Sequence, residues 1–351
     1  MPRVRYVPVE DSTRVRDVRV AAEDAAAGAG LDERRTAAVS LVATELATNL
    51  VKHAHGGQVL IEVVDAPAPG GAATGRSVQI TAIDHGPGMA DAAGAMRDGF
   101  STTGSLGAGL GTCRRLSDDF GLHSVQGRGT VAVARIAGVP PAAGAVPGPG
   151  VRAGGVNIPF AAAEESGDDW TWVRSGDLCT LMLADGLGHG AAAARASAAA
   201  VDAVRRAPHL PPAEALRALH EALGGTRGAA VAVAQLDLRA ERLRFAGIGN
   251  VGARLRDGDR WRALLSRPGI VGAHRPGTLR EDELPWTRDS LLILHTDGLP
   301  SRWTPPSGDD LTAADPAVTA AVTIRDAGSS ARPVRDDTAV TVLSPTPPDR
   351  P

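Results

Sequence analysis

Between Gly138 and Gly155 the chain reads GVPPAAGAVPGPGVRAGG, and this stretch limits its folding more than any other feature. Gly, Pro and Ala dominate it and no apolar period runs through it. Such a segment cannot bury enough surface to fold by itself and reads as a linker. A chain of 351 residues fits two domains. The expected division is a first domain over 1–137, a linker over 138–152, a second domain over 153–344 and a Pro-rich, frayed tail over 345–351. A second Pro/Gly loop, Ala66–Gly75, separates two strand-like runs of the first domain.

Composition narrows the class. Apolar residues make up 43% and charged residues 22%, as in ordinary globular proteins, while aromatics at 3% leave the cores to Ala, Val, Leu and Ile. A net charge of -3, with no basic stripe interleaved with aromatics, argues against nucleic acid as a partner. Cys113 and Cys179 form no zinc or disulfide framework. The N-terminal MPRVRYVPVEDSTRVRD lacks a signal-peptide core. No apolar run approaches the roughly 20 residues needed to span a bilayer. The long alanine-rich run Ala191–Val204 is broken by Arg195, Ser197 and Asp202. The expectation is a cytoplasmic protein with no membrane segment.

Periodicity places the elements. Asp32–His55 is expected as a helix because Val39, Val42, Leu46 and Leu50 recur at helical spacing, with Gly56-Gly57 ending it. Strands are expected at Gln58–Val64, Val78–Ile83 and Thr130–Ile136 before the linker. After it they are expected at Leu178–Leu183, Ala229–Leu236, Arg242–Ala246, Leu291–His295 and Ala339–Leu343. Helices are expected at Ala191–Arg206 and Ala213–Leu223. The first half is thus a small α/β sheet with helices, and the second a β-rich α/β domain.

Three pieces of the first half carry chemistry. Glu45 and Asn49, four apart, share one face of the long helix; a carboxylate beside an amide suits Mg²⁺ binding and activation of a nucleophile. Alone, such a pair is ordinarily a solvated helix face. Asp84-His85-Gly86-Pro87-Gly88 follows a strand, so its carboxylate can accept from an exocyclic amine while the glycines admit a ligand; alone it is a turn. Gly104-Ser105-Leu106-Gly107-Ala108-Gly109-Leu110-Gly111 runs into a helix, an arrangement that binds anions; alone it is a flexible loop.

In this order the three pieces resemble the GHKL ATPase family. DGFSTTGSLGAGLGTCRRLSDDFGLHSVQGRGTVAVARI resembles the small anti-sigma-factor serine kinases of bacterial stress signalling, over roughly residues 5–137. The resemblance implies ATP and Mg²⁺ as cofactors. Glu45 becomes the base toward an acceptor hydroxyl, Asn49 a Mg²⁺ ligand and Asp84 the partner of the adenine amino group. Gly86 and Gly88 shape the pocket, Gly104, Gly107, Gly109, Leu110 and Gly111 wrap the phosphates, and Thr130 lies near the adenine edge. His85 stands where an Asn is usual and Ala108 where a larger aliphatic is common; neither change removes a required donor. A dinucleotide-binding fold is excluded by order, since no Gly-x-Gly-x-x-Gly joins an early strand to a helix.

The second half offers spaced carboxylates: Asp168, Asp185-Gly186, Asp297-Gly298 and Asp336-Asp337, most at the ends of expected strands, where side chains can converge on one rim. Oxygen ligands without clustered Cys or His favour Mg²⁺ or Mn²⁺. Each Asp alone is an ordinary turn residue. Together, GGVNIPFAAAEESGDDW, ADGLGHG, FAGIGNVGARL, LLILHTDGLPSRW and RDDTAVTVL resemble, in order, the PPM family of metal-dependent protein phosphatases in its SpoIIE-like branch. That resemblance implies metal ligation by Asp168, Asp185, the Gly186 carbonyl, Asp297 and Asp336, with Asp337 an equal alternative to Asp336. It makes His189 a loop-shaping residue and Asn250 structural or near the substrate, and Arg174 cannot be given the phosphate-binding role.

The expected fold class is α/β (α+β), a GHKL-type α/β sandwich followed by a PPM-type α-β-β-α sandwich. The expected protein is a bifunctional partner-switching regulator. It would phosphorylate Ser or Thr on a STAS-type anti-sigma-factor antagonist and hydrolyse phosphoserine or phosphothreonine on such a protein. In the alternative, the first domain binds ATP as a non-catalytic binding or gating module. Homodimerisation is left open, and so are the stimulus and the choice between Mg²⁺ and Mn²⁺.

Overall fold

The structure is a computed structural model that describes residues 4–67, 73–96, 109–139, 150–160, 163, 165–274, 277–306, 314–328 and 336–347. The expectations placed on Gly104, Gly107, residues 140–149 of the linker and the tail from 348 lie outside these residues. The chain divides into two compact units near residue 145.

The first unit runs β1 (Val4–Val9), α1 (Arg14–Ala29), α2 (Glu33–His53), β2 (Gly57–Pro67), β3 (Ala73–Ile83), α3 (Ala92–Ala95), α4 (Leu110–Leu116), β4 (Asp119–Val125) and β5 (Gly129–Ala137). Its strands form one sheet in the order β1-β2-β3-β5-β4. Alternation along the strands sends Val59, Ile61, Val78, Ile80, Ala132, Ala134 and Ile136 to the face that receives the helices. There they meet Val39, Val42, Leu46 and Leu50 of α2, as the helical spacing requires. The Asp32 carboxylate caps α2 by accepting from the Arg35 N–H at 2.7 Å. Helix α1 was not expected from its sequence. Its buried stripe is only Val18, Ala22 and Ala26, and two alanines give little apolar contrast.

The second unit contains β6 (Val151–Ile158), β7 (Asp168–Ser175), β8 (Leu178–Gly186), α5 (Ala191–Arg206), α6 (Pro212–Ala222), β9 (Ala229–Asp237), β10 (Arg242–Ile248), β11 (Gly252–Asp257), β12 (Arg260–Leu264), β13 (Asp282–Pro285), β14 (Leu291–His295), α7 (Pro316–Ala327) and β15 (Thr338–Pro345). Two sheets form, ordered β13-β10-β9-β8-β7 and β12-β11-β14-β15-β6. Leu181, Leu183, Phe245, Leu255, Leu292 and Leu294 fill the space between them. The outer face of the first sheet carries Met182, Val231 and Val233 against Val201, Val204, Leu216 and Leu219 of α5 and α6. Helix α7 packs on β6 and β15 of the other sheet, which makes the unit an α-β-β-α sandwich.

Strand β6 starts at Val151, within the run of Gly and Pro expected to be linker. Its glycines serve close packing. A Cβ on Gly154 would come within 2.8 Å of the Ala317 nitrogen, and one on Gly155 within 2.8 Å of Trp170 and Thr341. Among the described residues, no helix is long and apolar enough to cross a membrane.

Candidate nucleotide and metal sites

In the first unit, α2 presents Glu45 and Asn49 on one face, both half-buried. Burial pushes the Glu45 carboxyl up, and the nearby Lys52 partly opposes this. The Cys113 thiol of α4 is pushed up to about 12, first by burial and then by the Glu45 charge, so α4 lies beside the Glu45 face. Asp84 follows β3 and is buried. Its Oδ1 accepts the Gly86 N–H at 2.8 Å and the Thr130 N–H at 3.1 Å, and its own N–H donates to the Thr130 carbonyl. The Thr130 hydroxyl pairs with Ser124 Oγ at 2.8 Å, and Ser124 Oγ accepts from the Met89 N–H. Asp84, Gly86 and Thr130 thus form one bonded constellation.

The glycines fit a tight loop. Gly88 has φ 67, a conformation glycine adopts without strain, and a Cβ there would run into the Val125 carbonyl. A Cβ on Gly86 would sit 2.7 Å from Ala54 Cα, so the 84–88 loop lies against the end of the helix that bears Asn49. Gly109 caps α4, with Leu110 and Gly111 in its first turn.

In the second unit, both sheets bring acids to the same rim. Asp168 and Asp185 are register partners on β7 and β8. Asp297 follows β14 and Asp336 precedes β15, which pairs with β14. A hydroxyl ties the two sheets together at this end. Thr296 Oγ1 donates to Asp168 Oδ2 at 2.8 Å and accepts the Ala339 N–H at 2.9 Å. The remaining Asp168 oxygen, Oδ1, is buried without a hydrogen-bond partner. Burial pushes Asp168 well above the usual carboxylate range, and the charges of Asp185, Asp337 and Asp297 add to the effect. Asp185 is pushed up to about 7 by burial and then by Asp297, Asp336 and Asp337.

An orphaned buried oxygen and mutually repelling carboxylates fit hard divalent cations, which would supply the missing positive charge. No three Asp, Glu, His or Cys side chains among the described residues stand close enough to hold one ion between them.

The neighbouring aspartates Asp336 and Asp337 differ in their surroundings. Asp337 is buried, with Oδ1 accepting from the Phe160 N–H and Oδ2 from the Gly167 N–H, each at 2.8 Å. Asp336 is exposed and its Oδ1 accepts the Asp337 N–H at 2.9 Å. The Gly167 carbonyl in turn accepts the Gly186 N–H at 3.0 Å. Glycine is required after two of the acids: a Cβ on Gly186 would run into the Ala193 carbonyl, and one on Gly298 into the Asp337 carbonyl. The Asn250 amide donates to Asp297 Oδ2. His189 is exposed on the loop after Gly186. The orienting role of Thr296 was not read from the sequence, although the residue directly precedes Asp297.

Comparison with known proteins matches both units. Residues 9–136 match the histidine kinase-like ATPase domain family and residues 175–345 match stage II sporulation protein E, SpoIIE. The two matches follow one another along the chain, one in each compact unit. The serine/threonine-protein kinase RsbT of Bacillus subtilis is 45% identical over 94 residues, which are 27% of this chain and 66% of RsbT. A solved bacterial stressosome chain overlaps 55% of this chain and 98% of its own length, at 26% identity and a TM-score of 0.48. A structure of the PP2C phosphatase domain and a regulatory fragment of Bacillus subtilis SpoIIE covers 96% of this chain and 98% of its own, at 15% identity and a TM-score of 0.49.

Proposed function

We propose that the protein is a two-headed partner-switching enzyme, a metal-dependent phosphoserine/phosphothreonine phosphatase joined to an ATP-dependent serine/threonine kinase. The observation that carries the phosphatase reading is the buried, unpartnered Oδ1 of Asp168 amid acids that raise one another's pKa. Asp168, Asp185, the Gly186 carbonyl, Asp297 and Asp336 would hold Mg²⁺ or Mn²⁺. Bound there, the cations supply Lewis acidity toward a phosphoryl oxygen and lower the pKa of the attacking water. Thr296 fixes one oxygen of Asp168 and leaves the other available to a cation, and Asn250 orients Asp297. Asp337 acts through its two backbone bonds, which hold the 160 and 167 loops in place.

In the ATPase domain, Asp84 would accept from the adenine amino group and Asn49 would ligate Mg²⁺. Glu45, its pKa raised by burial, takes the proton of the acceptor hydroxyl. The likeness of this domain to a serine/threonine kinase supports transfer over mere binding. The partner we propose is a phosphorylatable STAS-type protein, because the paired activities suit reversible modification of one regulator. The first domain would span residues 1–137, and the second would open with β6 at Val151 and close with β15 at Pro345.

The test is incubation of the phosphorylated STAS protein with enzyme and Mn²⁺ or Mg²⁺, and of the unphosphorylated protein with labelled ATP. Phosphate release that survives combined Asp185→Ala and Asp297→Ala rules out the phosphatase. Label transfer that survives Glu45→Gln rules out the kinase assignment.

A further inference from the structure

The rim of the SpoIIE domain is crowded with negative charge, and a phosphomonoester brings about two more. Asp185 pairs in register with Asp168, and Asp297 and Asp336 stand at the same end of the paired strands β14 and β15. A substrate phosphate at this edge gains from a cationic side chain beside the metal. Arg174 is at the wrong end. It pairs in register with Cys179 near the β7–β8 turn. Six strand steps separate it from Asp168, which is roughly 20 Å of extended chain. Its Nε donates to the Gly176 carbonyl at 3.2 Å.

Arg227 is at the right end. Strand β9 pairs with β8 so that Ala230 faces Asp185 and Ala229 faces Gly186, which puts Arg227 just beyond the same edge. The Leu187 N–H donates to the Gly228 carbonyl at 3.0 Å and locks the Arg227 loop to the Asp185-Gly186 loop. Arg227 Nη1 lies 3.0 Å from where a Cβ on Gly188 would stand, so its guanidinium reaches over that loop. The side chain is exposed, and among the described residues it pairs with no carboxylate.

We infer that Arg227 is the phosphate-binding residue of the SpoIIE domain, its guanidinium taking the non-bridging oxygens of the substrate's phosphoryl group through paired N–H donors. The inference rests on the phosphatase reading for the reaction but not for the binding. A planar guanidinium grips two oxygens at once, which a lysine ammonium does only in part.

The experiment uses the full chain with Mn²⁺ and two small probes, inorganic phosphate and p-nitrophenyl phosphate. Wild type, Arg227→Ala, Arg227→Lys and Arg174→Ala are compared, each checked for its melting temperature. Phosphate binding is read by calorimetry and turnover by nitrophenol release. Arg227→Ala is expected to weaken phosphate binding and raise KM roughly tenfold or more, Arg227→Lys to recover part of the loss, and Arg174→Ala to match wild type. The inference is overturned by a wild type that binds no phosphate. It is equally overturned by an Arg227→Ala variant with unchanged phosphate binding and KM, or with a fall in kcat alone. Wild-type phosphate binding that depends on Arg227 but comes without turnover would uphold the Arg227 site and refute the phosphatase.

Discussion

At the scale of single residues, the rim acids set stability against function. Asp168 holds a buried carboxylate with one unpartnered oxygen, which costs free energy in the metal-free protein. Asp168→Asn removes the charge while its side-chain oxygen can still accept from Thr296. The metal-free variant is expected to melt at least about 2 °C above wild type. Its phosphate release should fall more than about a hundredfold. A variant no more stable than wild type would show that the carboxylate is not strained.

The same charges fix the pH dependence. Asp185 is raised from 3.8 to about 7, so the folded metal-free protein binds more protons than the unfolded chain between these values. Its contribution to stability is present below pH 4 and is lost as pH rises through 7. Cation binding opposes the loss only where the carboxylate is ionised. The rise in melting temperature on adding Mn²⁺ should therefore be small at pH 5.5 and large at pH 8; an equal rise at both would remove Asp185 from the site. The sequence made these acids visible because each sits in an Asp-Gly or Asp-Asp pair at a strand end. It could not separate Asp336 from Asp337 or reveal the bond from Asn250 to Asp297, because those depend on contacts between distant segments.

At the scale of elements, strands and helices with strong apolar contrast were legible. Helix α5 spans Ala191–Arg206 as expected, and α2 occupies Glu33–His53 with Asp32 as its cap. Strand β6 was obscured because its glycines, which resemble linker composition, are there to let Ala317 and Trp170 approach. The loop before β15 gives a prediction at this scale. Asp337 ties that strand's entry to the loops at Phe160 and Gly167, whereas Asp336 bonds only locally. Asp337→Ala leaves two backbone donors without partners and should cost about 2–4 kcal/mol in denaturant unfolding. Asp336→Ala should unfold within about 0.5 kcal/mol of wild type while losing metal-dependent phosphate release. Reversed results would exchange the roles of the two aspartates.

At the scale of the whole molecule, the two units have separate cores, and the proposal gives them two chemistries of opposite direction. Each site is anchored within its own unit. Asp84 is fixed by Gly86 and Thr130, and Asp168 by Thr296. Asp84 Oδ1 takes both backbone bonds, so Asp84→Asn can keep them through its side-chain oxygen. It then presents an amide donor where the carboxylate offers an acceptor to adenine. ATP affinity should fall about tenfold or more, because a donor would face a donor. Phosphate release should stay within about twofold, since separate sites without shared partners add independently. Asp185→Asn should give the mirror result, with ATP binding retained and phosphate release lost. If Asp84→Asn instead changes phosphate release in proportion to its loss of ATP, the nucleotide is a ligand that gates the phosphatase. The first unit would then be a regulatory module, and label transfer to the STAS protein should be absent from wild type as well.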